Sequence, residues 1–287
     1  MSRKFVSSEA RKSPLSRRHF LRVATGGLGA LALLNCGEMP LLPDGGNFAA
    51  EDAGSSDAGT SASWAAATTA LITSKDYGNP FATGLGSTCA LFRSATEGPC
   101  HATSPLLTRR DVSEGYSGVP MRLELLVVNR ACSPVPGATV EIWMADTKGV
   151  YSGDIDGNMD AFCTGGSATA AAALWGRGIQ TAGSDGRVTF DGLFPGWYSS
   201  RATHIHFKVS VGNTAYVTSQ LFFDEALKTD IYSTQSSYVA PSGNGYVLNA
   251  SDKVIQESSL VLNEVACNWE RTADGSLLAW KALTIDA

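Results

Sequence analysis

Between Tyr198 and His206 the chain reads Tyr-Ser-Ser-Arg-Ala-Thr-His-Ile-His, placing a tyrosine, an arginine and two of the four histidines within nine residues. Alternate residues of a β-strand share a face. Here Ile205, Phe207, Val209 and Val211 alternate with His204, His206, Lys208 and Ser210. One face is therefore apolar and the other presents two imidazoles side by side. Neutral imidazole is the commonest protein metal ligand, and an H-x-H pair offers two donors that one ion can bridge. Two core histidines bonded to the backbone are the other reading of the same spacing. Tyr151, in Gly149-Val150-Tyr151-Ser152-Gly153, and Tyr198, in Pro195-Gly196-Trp197-Tyr198, stand at turns where a phenol could join such a site. Taken singly, either tyrosine also reads as a packing residue, since P-G-x-Y after the extended D-G-x-x-x-F of residues 185–190 suits a structural module.

The elements that must carry these residues are short and apolar-alternating, punctuated by Gly, Pro, Asn and Asp. Strands are expected over Met121–Val128, Ala138–Met144, Arg187–Phe190, His204–Val211, Tyr216–Phe223, Lys253–Leu262 and Leu277–Ile285. Ser133-Pro134-Val135-Pro136-Gly137 and Ser184-Asp185-Gly186 supply turns. Seven or so strands with little helix indicate a β-sandwich. Residues 153–175 break the strand rhythm and read as a long surface excursion with a helical turn in its alanine run. The acidic stretch from Asp154 to Asp160 lacks the glutamate of a calcium loop, Cys163 standing in its place.

The front of the chain has a different character. Ser16-Arg17-Arg18-His19-Phe20-Leu21-Arg22, followed by a short Gly-rich apolar run, resembles a twin-arginine export signal. The twelve residues from Val23 to Leu34 are too few to span a bilayer in the usual way. Leu33-Leu34-Asn35-Cys36 resembles a lipoprotein cleavage box that would put a lipid on Cys36, although Asn35 departs from it; ordinary cleavage nearby is the alternative. Residues 1–36 are thus expected to be the signal. Residues 37–85 are a Gly/Ala/Ser/Asp-rich tether with a short helix over 61–72, and residues 86–287 are the β-sandwich domain. An exported protein is expected to sit in the periplasm or at the outer side of a membrane.

A net charge of −5 and a pI near 5.4 leave no basic stripe for nucleic acid. Six cysteines, Cys36, Cys89, Cys100, Cys132, Cys163 and Cys267, form no C-x-x-C pair, which disfavours a zinc ribbon. Disulfides are the default outside the cytoplasm, with the pairing left open. Oligomeric state is also left open.

Six blocks in order carry a more specific signal. They are Thr96-Glu97-Gly98-Pro99, the segments around Gly137-Ala138 and Trp143, Gly149 to Gly153, Arg177-Gly178-Ile179-Gln180, Pro195 to Tyr198, and Arg201 to His206. Together they resemble the intradiol ring-cleavage dioxygenases over about residues 86–250, and the exported branch more than the cytoplasmic catechol and protocatechuate enzymes. The expected fold is all-β, a prealbumin-like β-sandwich with long active-site loops and little helix.

The resemblance implies one non-haem Fe(III) ion held by Tyr151, Tyr198, His204 and His206. Phenolate oxygens are hard donors that favour ferric iron over softer ions. It also implies a small aromatic diol and O2 as reactants, with cleavage between the two hydroxylated carbons to a muconate-type diacid. No nicotinamide or flavin would be needed. Tyr198 would take a proton from the diol and leave the metal, and Arg201 would sit beside the ring as a fixed positive charge. Gln220 would lie near the ring and the oxygen pocket, and Pro99 at the pocket mouth.

Two departures bear on the substrate. Cys100-His101 stands where relatives usually carry an aromatic after Glu-Gly-Pro, and Trp143-Met144 where they often read Trp-His. His101 is expected to be solvated rather than part of the site. The competing readings are a non-catalytic exported β-sandwich binding module, which has no need of both tyrosines, and a copper site on the H-x-H pair.

Overall fold

A computed structural model describes residues 63–102, 107–155, 159–238 and 246–287. The expected export signal, Cys36 and the expected tether up to residue 62 lie outside them, as does the centre of the acidic stretch at 156–158.

Two four-stranded sheets face each other. One runs β4-β1-β8-β7 and is built from β1 (Pro120–Val128), β4 (Arg187–Leu193), β7 (Asn268–Arg271) and β8 (Leu277–Thr284). The other runs β3-β2-β5-β6, from β2 (Thr139–Trp143), β3 (Arg177–Thr181), β5 (His204–Val211) and β6 (Thr214–Phe222). β1 and β8 are parallel; the other pairs are antiparallel. The all-β expectation holds, and its cause is visible in the alternation. Leu123 and Leu125 of β1 meet Val140 and Ile142 of β2 and Ile205 and Phe207 of β5 in one continuous core. Each such side chain contributes about 1.5–3 kcal/mol by leaving water.

The structure departs from the expected elements in several places. Residues 63–85 are no tether: Trp64 and Ile72 are buried, and this segment covers the outer face of β1. Arg122, pointing away from the core, donates to the carbonyls of Ile72 and Lys75, each at 2.5 Å, and to Asp191 at 2.8 Å. No periodicity marks such a segment, because its backbone carbonyls do the binding. The helix expected over 61–72 shrinks, among the described residues, to one 3-10 turn at Thr69–Leu71. Ala65 and Ala67 instead bond to Gly275 and Gly118, and those paired backbone groups outweigh the modest helix preference of alanine.

Lys253–Leu262, expected as a strand, contains a short helix. Asp252 accepts hydrogen bonds from the N–H groups of Val254 and Ile255 and so starts a helix over Lys253–Glu257. A ten-residue helix over Glu225–Thr234 went unread, as did β3 and β7. Asp224 caps this helix, and Leu227 and Ile231, one turn apart, are both buried.

Disulfides join Cys89 to Cys132 and Cys100 to Cys163. Cys267 is free and buried, and burial pushes its thiol up to about 12. The excursion after Tyr151 carries two short helices, Asp160–Cys163 and Ala168–Ala172, the latter capped by Ser167.

Candidate active site

β5 sets the two histidines. His206 pairs across to Trp143 of β2 and to Gln220 of β6, and His204 to Phe222, so both imidazoles leave the same face of a central strand. The Nδ1–H of His204 donates to the Ala202 carbonyl at 2.6 Å, which leaves its Nε2 with a lone pair aimed into the site. The Nε2 atoms of His204 and His206 lie 3.0 Å apart.

The tyrosines arrive on loops that hold each other. Asp146 accepts hydrogen bonds from the N–H groups of Lys148 and Val150, shaping the turn before Tyr151. The Gly196 N–H donates to the Asp146 carbonyl at 2.9 Å. A side chain at Gly196 would lie 2.5 Å from the Thr147 carbonyl oxygen, so only glycine lets the two loops close. Tyr151 is further fixed by its N–H to the Cys163 carbonyl at 2.8 Å, and Ser152 by its hydroxyl to the Trp175 carbonyl at 2.6 Å. Arg177 donates to the carbonyls of Ser152 and Cys100.

The four predicted donors therefore meet. The Tyr151 hydroxyl lies 3.4 Å and the Tyr198 hydroxyl 3.3 Å from His204 Nε2. Tyr151, His204 and His206 are buried; Tyr198 is the half-buried member. Ligands at about 2.0–2.1 Å from one ion would stand roughly 3.0 Å apart at a right angle and roughly 3.4 Å apart at a tetrahedral one. The observed spacings of 3.0, 3.3 and 3.4 Å span this interval. A single cation with hard oxygen and imidazole ligands fits this donor set. Among the described residues no group of three or more His, Cys, Asp and Glu side chains offers another metal site.

Burial favours the neutral form of all four groups. Burial, reinforced by the nearby Arg201 charge, drives both histidines well below the ordinary imidazole range. Burial raises Tyr151 well above the usual phenol range, and the neighbouring Tyr198 adds to it. Burial also raises Tyr198, with Arg201 opposing.

Arg201 and Gln220 stand together beside the donor cluster. Arg201 donates from Nη2 to the Gln220 side-chain carbonyl, and its Nη1 lies 3.4 Å from the Tyr198 hydroxyl. Gln220 in turn donates to the Thr96 carbonyl at 3.1 Å, tying the Thr96–Pro99 loop to the site. Pro99 is exposed at the edge of that loop. His101 is not solvated, contrary to expectation. It bonds to Glu141 at 2.7 Å and stands edge-on to Trp143, outside the donor cluster.

Several contributors escaped sequence reasoning. Trp143 stacks on His206 at 4.9 Å with 8° between planes. Gly98, quoted only as part of a motif, lies against the His206 ring, with φ +75° and a side chain there meeting Cε1 at 2.9 Å. Asp252 grips Arg201 at 2.9 Å. The Glu-Gly-Pro motif was a usable signal for Gly98; nothing local pointed to Asp252 as a partner of Arg201.

A family model described as Dioxygenase matches residues 96–242, half of the chain. The chain belongs to the intradiol ring-cleavage dioxygenase family. Every block of the motif resemblance lies in that span, as do Tyr151, Tyr198, Arg201, His204, His206 and Gln220. An intradiol ring-cleavage dioxygenase from Tetranychus urticae superposes with a TM-score of 0.60 at 26% identity, over 69% of this chain and 95% of that one. A second dioxygenase structure gives 0.57 at 26% identity, with the same two coverages. The dioxygenase domain of a carbohydrate-binding fusion from Streptomyces sp. SirexAA-E gives 0.47 at 23% identity, over 69% and 99%. No curated protein matches the chain in a sequence search.

Proposed function

We propose that this dioxygenase is an exported enzyme that binds one ferric ion through Tyr151, Tyr198, His204 and His206. It cleaves catechol-type diols between their hydroxylated carbons to muconate-type diacids. The observation that carries the reading is the convergence of two phenols and two imidazoles at 3.0–3.4 Å spacing within a family of ring-cleaving dioxygenases. A binding module has no use for four ionisable groups, three of them buried, aimed at one point.

Ferric iron, when bound, supplies a Lewis acid that takes up the diol oxygens and makes the ring reactive toward O2. The chain's own residues divide the remaining work. Tyr151, pinned through Cys163 and the Asp146 turn, is the fixed phenolate. Tyr198 is half-buried on a loop and is the phenolate free to accept a proton from a diol hydroxyl at its Oη. Arg201, held on Gln220 with Nη1 at the Tyr198 hydroxyl, keeps a positive charge beside the anionic ring. Pro99 borders the entry. Both atoms of O2 end in the diacid, so the overall reaction balances without an external reductant, nicotinamide or flavin.

The export signal over 1–36 is supported by two disulfides, which persist in oxidising compartments. A lipid on Cys36 would tether the domain to a membrane surface.

The test is a visible absorption spectrum with metal analysis of the purified mature protein, before and after anaerobic catechol. Tyrosinate-to-iron charge transfer should colour the protein red, and catechol should move the band to longer wavelength. A protein that stays colourless after loading with ferric or ferrous salts would sink the iron reading.

A further inference from the structure

Asp252 lies outside the matched family segment and fully buried, and it touches none of the four metal donors in the hydrogen-bond network around it. It nevertheless governs what surrounds them. One of its oxygens, Oδ2, accepts from Arg201 Nε at 2.9 Å and from the Ala202 backbone N–H at 2.7 Å. The other, Oδ1, accepts from the N–H groups of Val254 and Ile255 at 2.9 and 3.2 Å. A single carboxylate thus bridges the entrance of β5 to the first turn of the helix over Lys253–Glu257. Ala202 carries the carbonyl that orients His204, and Arg201 reaches Gln220 with one amino group and approaches Tyr198 with the other.

We propose that Asp252 is the positioning residue of the ring-cleavage site: it fixes the Arg201 guanidinium beside Tyr198 and, through the Ala202 peptide, the orientation of His204. The inference rests on the iron-site reading for its catalytic consequence. A guanidinium has five N–H donors in a rigid fork. With Nε committed to Asp252 and Nη2 to Gln220, only the Nη1 side is left to face the phenol and the ring. Without the carboxylate the fork is free to swing about its stem, and the charge no longer stands at a set place. Asp252 also balances the Arg201 charge close to where a trivalent cation is to bind. Outer partners of this kind typically alter metal affinity or activity by about 10–100-fold.

The experiment compares the full mature chain with Asp252→Ser, which keeps a helix-capping oxygen, and Asp252→Asn, which keeps the shape without the charge. Each is also made in an Arg201→Ala background. Iron-free melting, ferric titration and catechol kinetics per bound iron are measured. The expected result is kcat per iron lower by about 10–100-fold, KM for catechol within about threefold, and little further loss when Arg201 is already alanine. The proton NMR signal of the His204 Nδ1–H in iron-free protein should be present in the wild type and weaken by solvent exchange in Asp252→Ser.

Unchanged kcat per iron in both variants overturns the proposal. So does an equal loss with and without Arg201, or a failure of both variants to fold, since each assigns Asp252 a purely structural role. A wild type that binds no ferric ion refutes the iron reading instead, and the His204 signal still decides whether Asp252 orients that ring.

Discussion

Gly98→Ala tests whether the Thr96–Pro99 loop sets the position of His206. Gly98 sits at φ +75°, and a Cβ there would lie 2.9 Å from His206 Cε1. Two costs follow. The left-handed conformation costs a residue with a Cβ about 1–2 kcal/mol. The contact falls short of the usual carbon–carbon separation of about 3.5–4.0 Å, so loop or ring must yield by roughly half an ångström or more. The ring has little room to yield, since Trp143 stacks on it at 4.9 Å and its Nε2 is already 3.0 Å from that of His204.

Gly137→Ala is the control: φ is +76° and nothing lies within 4 Å of the added carbon. It reproduces the backbone cost without the contact. Gly137→Ala should lose about 2–8 °C in melting temperature, at roughly 2–4 °C per kcal/mol for a domain of this size, and Gly98→Ala more than that, because the contact adds to the backbone cost. Only Gly98→Ala should also lose about 10–100-fold in ferric affinity or turnover, as expected for a displaced ligand support. Titration of iron by the charge-transfer band, alongside calorimetry, separates the two. Equal iron affinity and turnover in the two variants would falsify the claim that this loop seats His206.

Tyr198→Phe should keep iron bound and slow both catechol binding and turnover, whereas His206→Ala should lose the metal; stopped-flow spectra and metal analysis distinguish them. Removing the Cys100–Cys163 bridge by a double serine variant opens a loop with a sequence separation of 63, worth about 4 kcal/mol in chain-entropy terms. Because Cys163 also holds Tyr151, ferric affinity should fall as well, and a loss of melting temperature with unaltered affinity would detach the bridge from the site. Burial raises the Glu124 carboxyl above its ordinary pKa, against the hydroxyl of Thr189 and nearby arginines. The folded state therefore holds its proton to higher pH than the unfolded chain, and stability from this group is full below the unfolded pKa and declines as pH rises through the raised one. Glu124→Gln should flatten that decline, and denaturation curves between pH 4 and 7 that keep the wild-type slope would refute it.

What the sequence disclosed follows from where the information is stored. The faces of β5 were legible because a two-residue period is local: His204 and His206 alternate with Ile205 and Phe207 whatever lies opposite. The four candidate donors were legible as a set only through the ordered motif blocks that resemble a known family; singly, either tyrosine also read as a packing residue. The cover formed by residues 63–85 was not, since it is held by carbonyls bonding to Arg122, and every residue has a carbonyl. The helix over Glu225–Thr234 did leave a signal, with Asp224 as cap and Leu227 and Ile231 at helical spacing. The strand expected over Lys253–Leu262 rested on apolar letters, while the cap at Asp252 decided the matter. Disulfide pairing, the Trp143 stack and the Asp252 clamp are contacts between distant segments, and no local pattern encodes them.

The same geometry explains how a fold can gather four ionisable groups in one buried place before any ion is there. Two phenolates or two imidazolium groups at this depth would be costly to desolvate, and burial instead holds the phenols protonated and the imidazoles neutral. Neutral imidazole is already the ligand form, but each phenol must release its proton to bind a cation. Arg201 favours that release at both phenols, and Arg177 also favours it at Tyr151, but Arg201 makes its close approach, Nη1 at 3.4 Å, to the hydroxyl of Tyr198, the half-buried phenol. The protein thus makes its two tyrosines unequal through solvent access and the close approach of one guanidinium to Tyr198. In the function proposed above, that inequality would suit Tyr151 to stay as a fixed ligand and Tyr198 to exchange a proton with the substrate.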